Sequence, residues 1–502
     1  MRFSNGWKGF LLSVLCGAAL VLAFAPFKFW FVAPLSLAAF FLLLYPVSAA
    51  TAAWRGYGFG LGLYGAGVSW VYVSLSTFGG MPVWMGSIAV FGFATLLAGF
   101  LALMAYLVAR IFPPRSWLRL LVLPAFWIIF EWLKSWVLTG FPWLDIGYAV
   151  VDTWLAAWAP IGGIYLVSFV VAVIAAAIAA GLLYRWWPAV LIASGAVVAS
   201  WMVSIIDWSK PSEHALKVGV IQANVSINEK WEPGYRRAVI DNYRAILRDL
   251  KNQQQVDLVV LPETAIPMHL QYLDLGFWDS IVPGNTAVLA GVIDTPSLLA
   301  EPSHFDESYN AAAFSCGQAE PLQVYRKRHL VPFGEYLPLR FLFQWVLDYL
   351  DLPMSDFSAW HGEQALSCGD KIKVGLSICY EDAFANEYRQ TLGASTLLVN
   401  ISEDAWFGNS FAPHQRLQMA QMRSRELARP MVRSANSGPS AFIDHRGRVQ
   451  SISGQFAPAT LVQHVQPQAG VTLFLRFGNW FIYLVLALLT IVSLRQWKGR
   501  AK

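Results

Sequence analysis

The sequence predicts a two-part chain: an α-helical membrane domain of about eight transmembrane helices, and an α/β domain inserted before the last of them. Three observations lead there. The 502 residues are 56% hydrophobic and only 13% charged, about half the charge fraction of an ordinary soluble protein. Apolar stretches of membrane-crossing length fill residues 1–209 and return once after residue 468. Between them, short β-type runs alternate with amphipathic helical text.

The spans are read at Phe10–Ala25, Phe29–Tyr45, Ala53–Val73, Val83–Ile111, Leu118–Leu138, Ile161–Leu183, Trp187–Ile206 and Leu473–Leu494. The 23 tryptophans and 33 phenylalanines suit long membrane–water boundaries, where aromatic rings collect. Arg2 and Lys8 before the first span resemble the start of a signal peptide, but no polar mature chain follows, so an uncleaved span is expected. Cys16 follows Leu15 rather than a small residue, so it is expected as a packed or lipid-facing cysteine. The third span is rich in glycine and the fifth carries Glu131 and Lys134, which leaves these two boundaries least defined. Those two charges share a helix face. They either satisfy each other, or Lys134 snorkels to the surface, or they meet a lipid head group.

Loop charges orient the spans. Arg2, Lys8, Arg55, Arg110, Arg115, Arg119, Arg185, Arg495, Lys498, Arg500 and Lys502 all fall on one side if the spans alternate, while the other side carries Lys28, Asp145 and Asp152. Positive loops stay in the cytoplasm. Both termini are therefore expected inside and the block 210–468 outside, which in a bacterium is the periplasm. The expected division is residues 1–209 for the first seven spans, 210–468 for the outer domain, and 469–502 for the last span and tail.

The outer block has strand candidates at Lys217–Gln222, Val256–Pro262, Ala287–Val292, Gln323–Leu330, Ile372–Ile378 and Thr396–Ile401. Helical text runs over Trp231–Lys251 and Pro413–Leu427. A net charge of +5 without a long basic run speaks against a nucleic-acid partner. Four cysteines make no disulfide scaffold, and there is neither a Cys-x-x-Cys pair nor a His-Glu-x-x-His, so no metal site is expected. Cys316 and Cys368 lie in an oxidising compartment if the topology holds; whether they pair depends on geometry.

Three polar segments stand where strands are expected to end: Leu261-Pro262-Glu263-Thr264, Tyr325-Arg326-Lys327-Arg328-His329-Leu330-Val331-Pro332-Phe333-Gly334-Glu335-Tyr336, and Ile378-Cys379-Tyr380-Glu381-Asp382. They contain the parts for acyl transfer. A thiolate is the nucleophile, a carboxylate in a buried setting can take its proton, and a lysine ammonium with a backbone N–H can hold an oxyanion.

This ordered set resembles the nitrilase superfamily, whose members use a Glu–Lys–Cys triad. A multi-span N-terminal half, a nitrilase-like outer block and a final span together resemble the family of membrane-embedded apolipoprotein N-acyltransferases of Gram-negative bacteria. The resemblance implies an αββα sandwich for the outer block. It implies Glu263 as general base, Lys327 as stabiliser of the oxyanion and Cys379 as acyl-accepting nucleophile. Glu335, Tyr380, Glu381, Trp231 and Asn310 are implied as supporting residues. It also implies a two-step reaction without a cofactor. An acyl chain, expected from the sn-1 position of phosphatidylethanolamine, passes to Cys379 as a thioester, and then to the α-amine of a diacylglyceryl-cysteine on an apolipoprotein. The partners implied are the phospholipid donor, the apolipoprotein acceptor and the inner membrane, around a monomer.

The apolar run Phe341–Leu350 reads either as part of a mobile lipid-access arm, with Phe341 and Trp345 as its contacts, or as a buried core helix. Two other readings of the chain stay open. A membrane-tethered amidase would use the same triad on a small amide, with water as acceptor. A transporter with an outer binding domain would need more polar residues within its spans than this chain has.

Overall fold

The computed structural model describes residues 6–500, except 185–186, 274, 282–285, 297–306, 318–319, 339–356 and 363. Phe341 and Trp345 lie outside the described residues.

A helix forms at each predicted span. These are α1 (Trp7–Leu20, continued by a 3-10 turn to Ala23), α2 (Val32–Leu44), α3 (Ala49–Gly67), α4 (Val83–Ile111), α5 (Trp117–Lys134), α6 (Ala159–Tyr184), α7 (Trp187–Val203) and a last helix, Trp480–Arg500, preceded by a short turn of helix, Leu473–Phe477. Two helical stretches, Val83–Ile111 and Trp154–Tyr184, are long and apolar enough to cross a membrane by length and composition; Trp7–Ala23, Val32–Leu44, Trp187–Val203 and Trp480–Gln496 are apolar but shorter. The glycine-rich third stretch becomes a continuous helix because its glycines sit at helix crossings. A Cβ on Gly62 would stand 2.0 Å from the Val14 carbonyl oxygen, and one on Gly17 2.0 Å from that of Phe59. Small residues let α1 and α3 touch through their backbones.

α5 stops at Lys134, four residues short of the expected end. Lys134 is fully engaged there: its ammonium pairs with Asp145 at 2.9 Å and donates to the carbonyls of Phe141 and Trp143. Glu131 accepts instead from the Trp127 indole at 2.8 Å and the Ile146 amide at 2.7 Å. The two charges therefore do not satisfy each other. Both fasten the segment after α5 back onto the helix.

The outer block is an αββα sandwich. Its strands are β1 (Lys210–Pro211), β2 (Leu216–Gln222), β3 (Leu258–Val260), β4 (Ala287–Asp294), β5 (Tyr309–Ser315), β6 (Gln323–Arg326), β7 (Leu366–Cys368), β8 (Ile372–Ile378), β9 (Leu397–Ser402), β10 (Met431–Ala435), β11 (Ala441–Ile443), β12 (Val449–Ile452), β13 (Ala459–Val465) and β14 (Gln468–Ala469). One sheet runs β13-β2-β3-β4-β5-β6 and the other β12-β11-β10-β9-β8-β7, while β1 pairs with β14. In each sheet the central strands are parallel, β2-β3-β4 and β8-β9-β10.

Alternation along the strands builds the layers. Val218, Val220, Leu258, Val260, Leu376, Ile378, Val399 and Ile401 belong to the core shared by the two sheets. Their neighbours Ile221, Val259, Val288 and Ala290 pack outward against Tyr243, Leu247 and Leu250 of the helix Pro233–Gln253. On the far side, Leu398, Met431 and Ala441 pack against Tyr388, Leu392, Leu417 and Leu427.

The helix Ala412–Leu427 joins the two parts of the molecule. Its sequence is polar, yet Gln415, Arg416, Gln418, Gln421, Arg423 and Glu426 are all buried. They are buried because every one of them has a partner. The Gln415 carbonyl oxygen accepts from the Trp143 indole at 2.6 Å, that of Gln418 from the Ala25 amide at 2.9 Å, and the Glu426 carboxylate from the Ile164 amide at 2.8 Å. One helix thus carries hydrogen bonds to α6 and to the loops of the helical domain while its other side faces the sheets.

Candidate active site

Parallel strands end on one rim of the sandwich, and the polar segments follow those ends. Leu261-Pro262-Glu263-Thr264 follows β3. The turn lies directly on β4, where a Cβ on Gly291 would come within 2.3 Å of the Thr264 nitrogen. Only glycine permits that approach. Thr264 has φ 47° and Cys379, which follows β8, has φ 52°. A positive φ at a non-glycine residue is costly and persists only where the surroundings enforce it.

Glu263, Lys327 and Glu335 are all buried. Asn310 at the start of β5 donates through its single amide nitrogen to Glu263 Oε1 at 2.6 Å and to Glu335 Oε1 at 2.7 Å. The Lys327 backbone amide is bonded to the Asn310 carbonyl at 2.8 Å, which fixes the lysine at the end of β6. Its ammonium contacts Glu335 at 2.7 Å and Glu263 at 3.7 Å. The second oxygen of Glu335 accepts from the Val331 amide at 2.8 Å, and that of Glu263 accepts from the Glu403 amide at 2.8 Å. Burial alone would drive Lys327 toward neutrality, but the carboxylates of Glu335 and Glu263 outweigh it and hold the ammonium above its ordinary pKa.

Cys379 is buried. Burial first, and then the charge of Glu263, push its thiol up to about 12 against the opposing pull of Arg416 and Lys327. The cysteine therefore rests as a thiol and feels both other members of the set. Arg416 donates to the Cys379 carbonyl at 2.6 Å and approaches its sulfur at 3.6 Å. Behind it lies a buried lattice of charge: Arg416 pairs with Asp404 at 2.6 Å and Asp382 at 3.2 Å, and Arg433 pairs with the same two aspartates. Burial opposes ionisation of Asp404, but Arg433 and Arg416 win and keep its carboxyl below the usual range.

Glu381 binds two segments together. One oxygen accepts from the Ile378 amide at 2.7 Å and the Tyr325 hydroxyl at 3.0 Å, and the other from the Arg328 amide at 2.6 Å. It ties the cysteine turn to the strand that carries Lys327. Tyr380 turns the other way, toward the helical domain. Its hydroxyl donates to the Gly140 carbonyl at 3.3 Å and its ring stacks on Trp143. Trp231 is only half-buried and caps a short helix. From the same phrase Lys230 reaches the site, with its ammonium 3.0 Å from the Glu263 carbonyl and 2.8 Å from Glu403.

Glu403, Asp404, Arg416 and Lys230 were not singled out from the sequence. A signal existed for the two acids: Ser402-Glu403-Asp404 follows an apolar strand, as Glu263 does. Arg416 and Lys230 gave none, since a lone cation on helical text reads as solvated. Cys316 and Cys368 are joined in a disulfide with a Cα–Cα distance of 5.5 Å. These two and Glu320 are the group of potential metal ligands found close together among the described residues, and the disulfide takes both sulfurs.

A two-sheet αββα domain with glutamate, lysine and cysteine at its strand ends defines a catalytic domain of the carbon–nitrogen hydrolase type, and residues 217–472 match the family model for carbon-nitrogen hydrolase. Residues 16–177 match the family model for the apolipoprotein N-acyltransferase N-terminal domain. Among curated relatives, the apolipoprotein N-acyltransferase of Pseudomonas putida is 38% identical, with 96% of each chain covered. That of Vibrio vulnificus is 34% identical, covering 98% of this chain and 97% of the relative. That of Methylococcus capsulatus is 38% identical over 94% and 93%. The chain belongs to the apolipoprotein N-acyltransferase family.

Proposed function

We propose that this protein transfers a fatty acyl chain from a phospholipid to the α-amine of a diacylglyceryl-cysteine on apolipoproteins, through a thioester on Cys379. The observation that carries the reading is the buried set itself. Lys327 stands between two carboxylates that Asn310 clamps together, near a thiol that burial first and then the charge of Glu263 push up, against Arg416 and Lys327.

Glu263 accepts the thiol proton as Cys379 attacks the ester carbonyl of the phospholipid. A base must act at that moment, because a thiol pushed up to about 12 holds its proton at neutral pH. The tetrahedral oxyanion is met by the Lys327 ammonium and the backbone N–H following Cys379. Collapse breaks the ester C–O bond, and the leaving alkoxide takes the proton back from Glu263. A lysophospholipid departs and a thioester remains. The α-amine of the acceptor then attacks the thioester carbonyl and gives a proton to Glu263. The C–S bond breaks, the sulfur recovers a proton, and an amide is formed. Glu335 and Asn310 keep Lys327 and Glu263 in register. Glu381 holds the cysteine turn against the Lys327 strand.

The donor we infer is phosphatidylethanolamine, through its sn-1 chain, and the site is the outer face of a bacterial inner membrane. Helices at the eight predicted stretches support a multi-pass chain, and the Lys/Arg bias of its loops supports both termini in the cytoplasm and the catalytic domain in the periplasm. The Cys316–Cys368 disulfide suits that oxidising compartment.

Mass spectrometry of the purified enzyme incubated with phospholipid tests this. A fatty-acyl mass on Cys379 that disappears when a diacylglyceryl peptide is added is the expected result. An unmodified cysteine with free fatty acid released would make the enzyme a hydrolase instead.

A further inference from the structure

A cavity of about 250 Å³ opens between the end of α5, the start of α6, the last helix and the segment Ala383–Glu387 that follows the cysteine turn. Its unpaired polar atoms are oxygens. Asp145, Tyr148 and Asn479 line it, and each carries a buried oxygen, Asp145 Oδ2, the Tyr148 hydroxyl and Asn479 Oδ1, without a hydrogen-bond partner in the protein. Asp145 and Tyr148 are 0% and 2% exposed. Lys134 takes the other oxygen of Asp145, and its remaining protons go to the carbonyls of Phe141 and Trp143. All three unsatisfied oxygens can accept a hydrogen bond. Around them stand aromatic rings at steep angles to one another. The Trp132 and Trp136 centroids are 5.5 Å apart at 60°, and those of Trp132 and Tyr483 6.1 Å apart at 82°. Glu387 adds an exposed carboxylate at the mouth.

Aromatic faces and orphan acceptors together fit a compact organic cation. A primary ammonium has N–H donors to offer such oxygens and a positive charge to set on such rings. The position agrees with a lipid source: Trp136 and Tyr483 are more than half exposed where apolar helices meet the water-facing domain, the level at which head groups lie.

We propose that this cavity binds the ammonium of an ethanolamine head group on the acyl donor. The proposal rests on the phospholipid-donor reading above. The other amine in the reaction, on the acceptor, is a poorer fit. It must lose a proton to attack the thioester, and a site that holds the cation would oppose that. The head group is therefore anchored beside the segment that follows the turn Cys379–Ala383, whose residues Ala383 and Phe384 line the cavity.

The test compares phosphatidylethanolamine with phosphatidylglycerol of the same chains, measuring formation of acyl-Cys379 by purified enzyme. Tyr148→Phe combined with Trp136→Ala should raise the KM for phosphatidylethanolamine about tenfold, the scale of one lost cation contact. It should leave kcat and the KM for phosphatidylglycerol unchanged. Asn479→Ala alone should show the same selectivity more weakly, which keeps the test valid if the double variant melts early. Equal changes for both lipids, or no change for either, would overturn the proposal. A KM raised only for the acceptor peptide would reassign the cavity to the acceptor amine and so overturn it as well. If wild-type enzyme forms no acyl-Cys379 with either lipid, the functional reading fails, an outcome separate from any difference between variants.

Discussion

Glu263→Gln should change two reactions of the same thiol in opposite directions. With its pKa pushed up to about 12, Cys379 is ionised to about one part in ten thousand at pH 8. Alkylation by iodoacetamide, which needs the thiolate and no enzymatic base, should accordingly be slow and rise steadily as the pH is raised toward 12. Glu263 is the second cause of that shift, after burial. Glutamine keeps the burial and removes the negative charge, so the thiol pKa falls. A fall of about one unit raises the thiolate fraction, and the alkylation rate at pH 8, about tenfold. Thioester formation from phospholipid should meanwhile drop by about 10²–10⁴, the usual worth of a positioned base. The assay is intact-mass spectrometry of one variant under both reagents over a pH series. If alkylation and acylation fall together, Glu263 only shapes the pocket and the assignment of the base is wrong.

Glu335→Gln should be costly in spite of its shape. Both carboxylate oxygens accept hydrogen bonds, so the amide NH2 must face a donor and the buried Lys327 loses its nearest charge; thermal unfolding should show a loss of about 3 kcal/mol. Arg416→Lys keeps a charge near Asp382 and Asp404 but cannot fork to both and to the Cys379 carbonyl. Acylation should fall at least tenfold with a smaller loss of stability than Arg416→Gln, and equal loss of both in the two variants would mean that the arginine is only packing. Replacing Cys316 and Cys368 by serine opens a loop of 52 residues and should cost about 4 kcal/mol by chain entropy, read as a lower unfolding midpoint of the carbon-nitrogen hydrolase domain.

Much of the fold was legible because its signals are local. Apolar length found the helices, and Ile372–Ile378 forms the strand predicted from its own residues. Less legible were β5 and β10–β13. Tyr309–Ser315 is alanine-rich, and Val449–Ile452 and Ala459–Val465 alternate on half-exposed sheet edges, so none of the three has the apolar run that marks a buried strand. The helix Ala412–Leu427 was found as a helix but not as a buried one. Its glutamines, arginines and glutamate look like a solvated face until their partners at Trp143, Ala25 and Ile164 are known.

The same division holds for the site. Glu263, Lys327, Glu335 and Cys379 each sit in a phrase near an expected strand end, and the order of those phrases singled them out through its resemblance to the nitrilase superfamily. What only the tertiary structure decided is how they act on one another. Asn310 bonds to both glutamates because β5 lies beside β4 and β6. Lys134 pairs with Asp145 rather than with Glu131 because the chain after α5 folds back. Arg416 comes to stand behind Cys379 from 37 residues away. A sequence records which groups are present and the local backbone that carries them. Ionisation and pairing depend on distances between groups remote in the chain, and packing sets those distances.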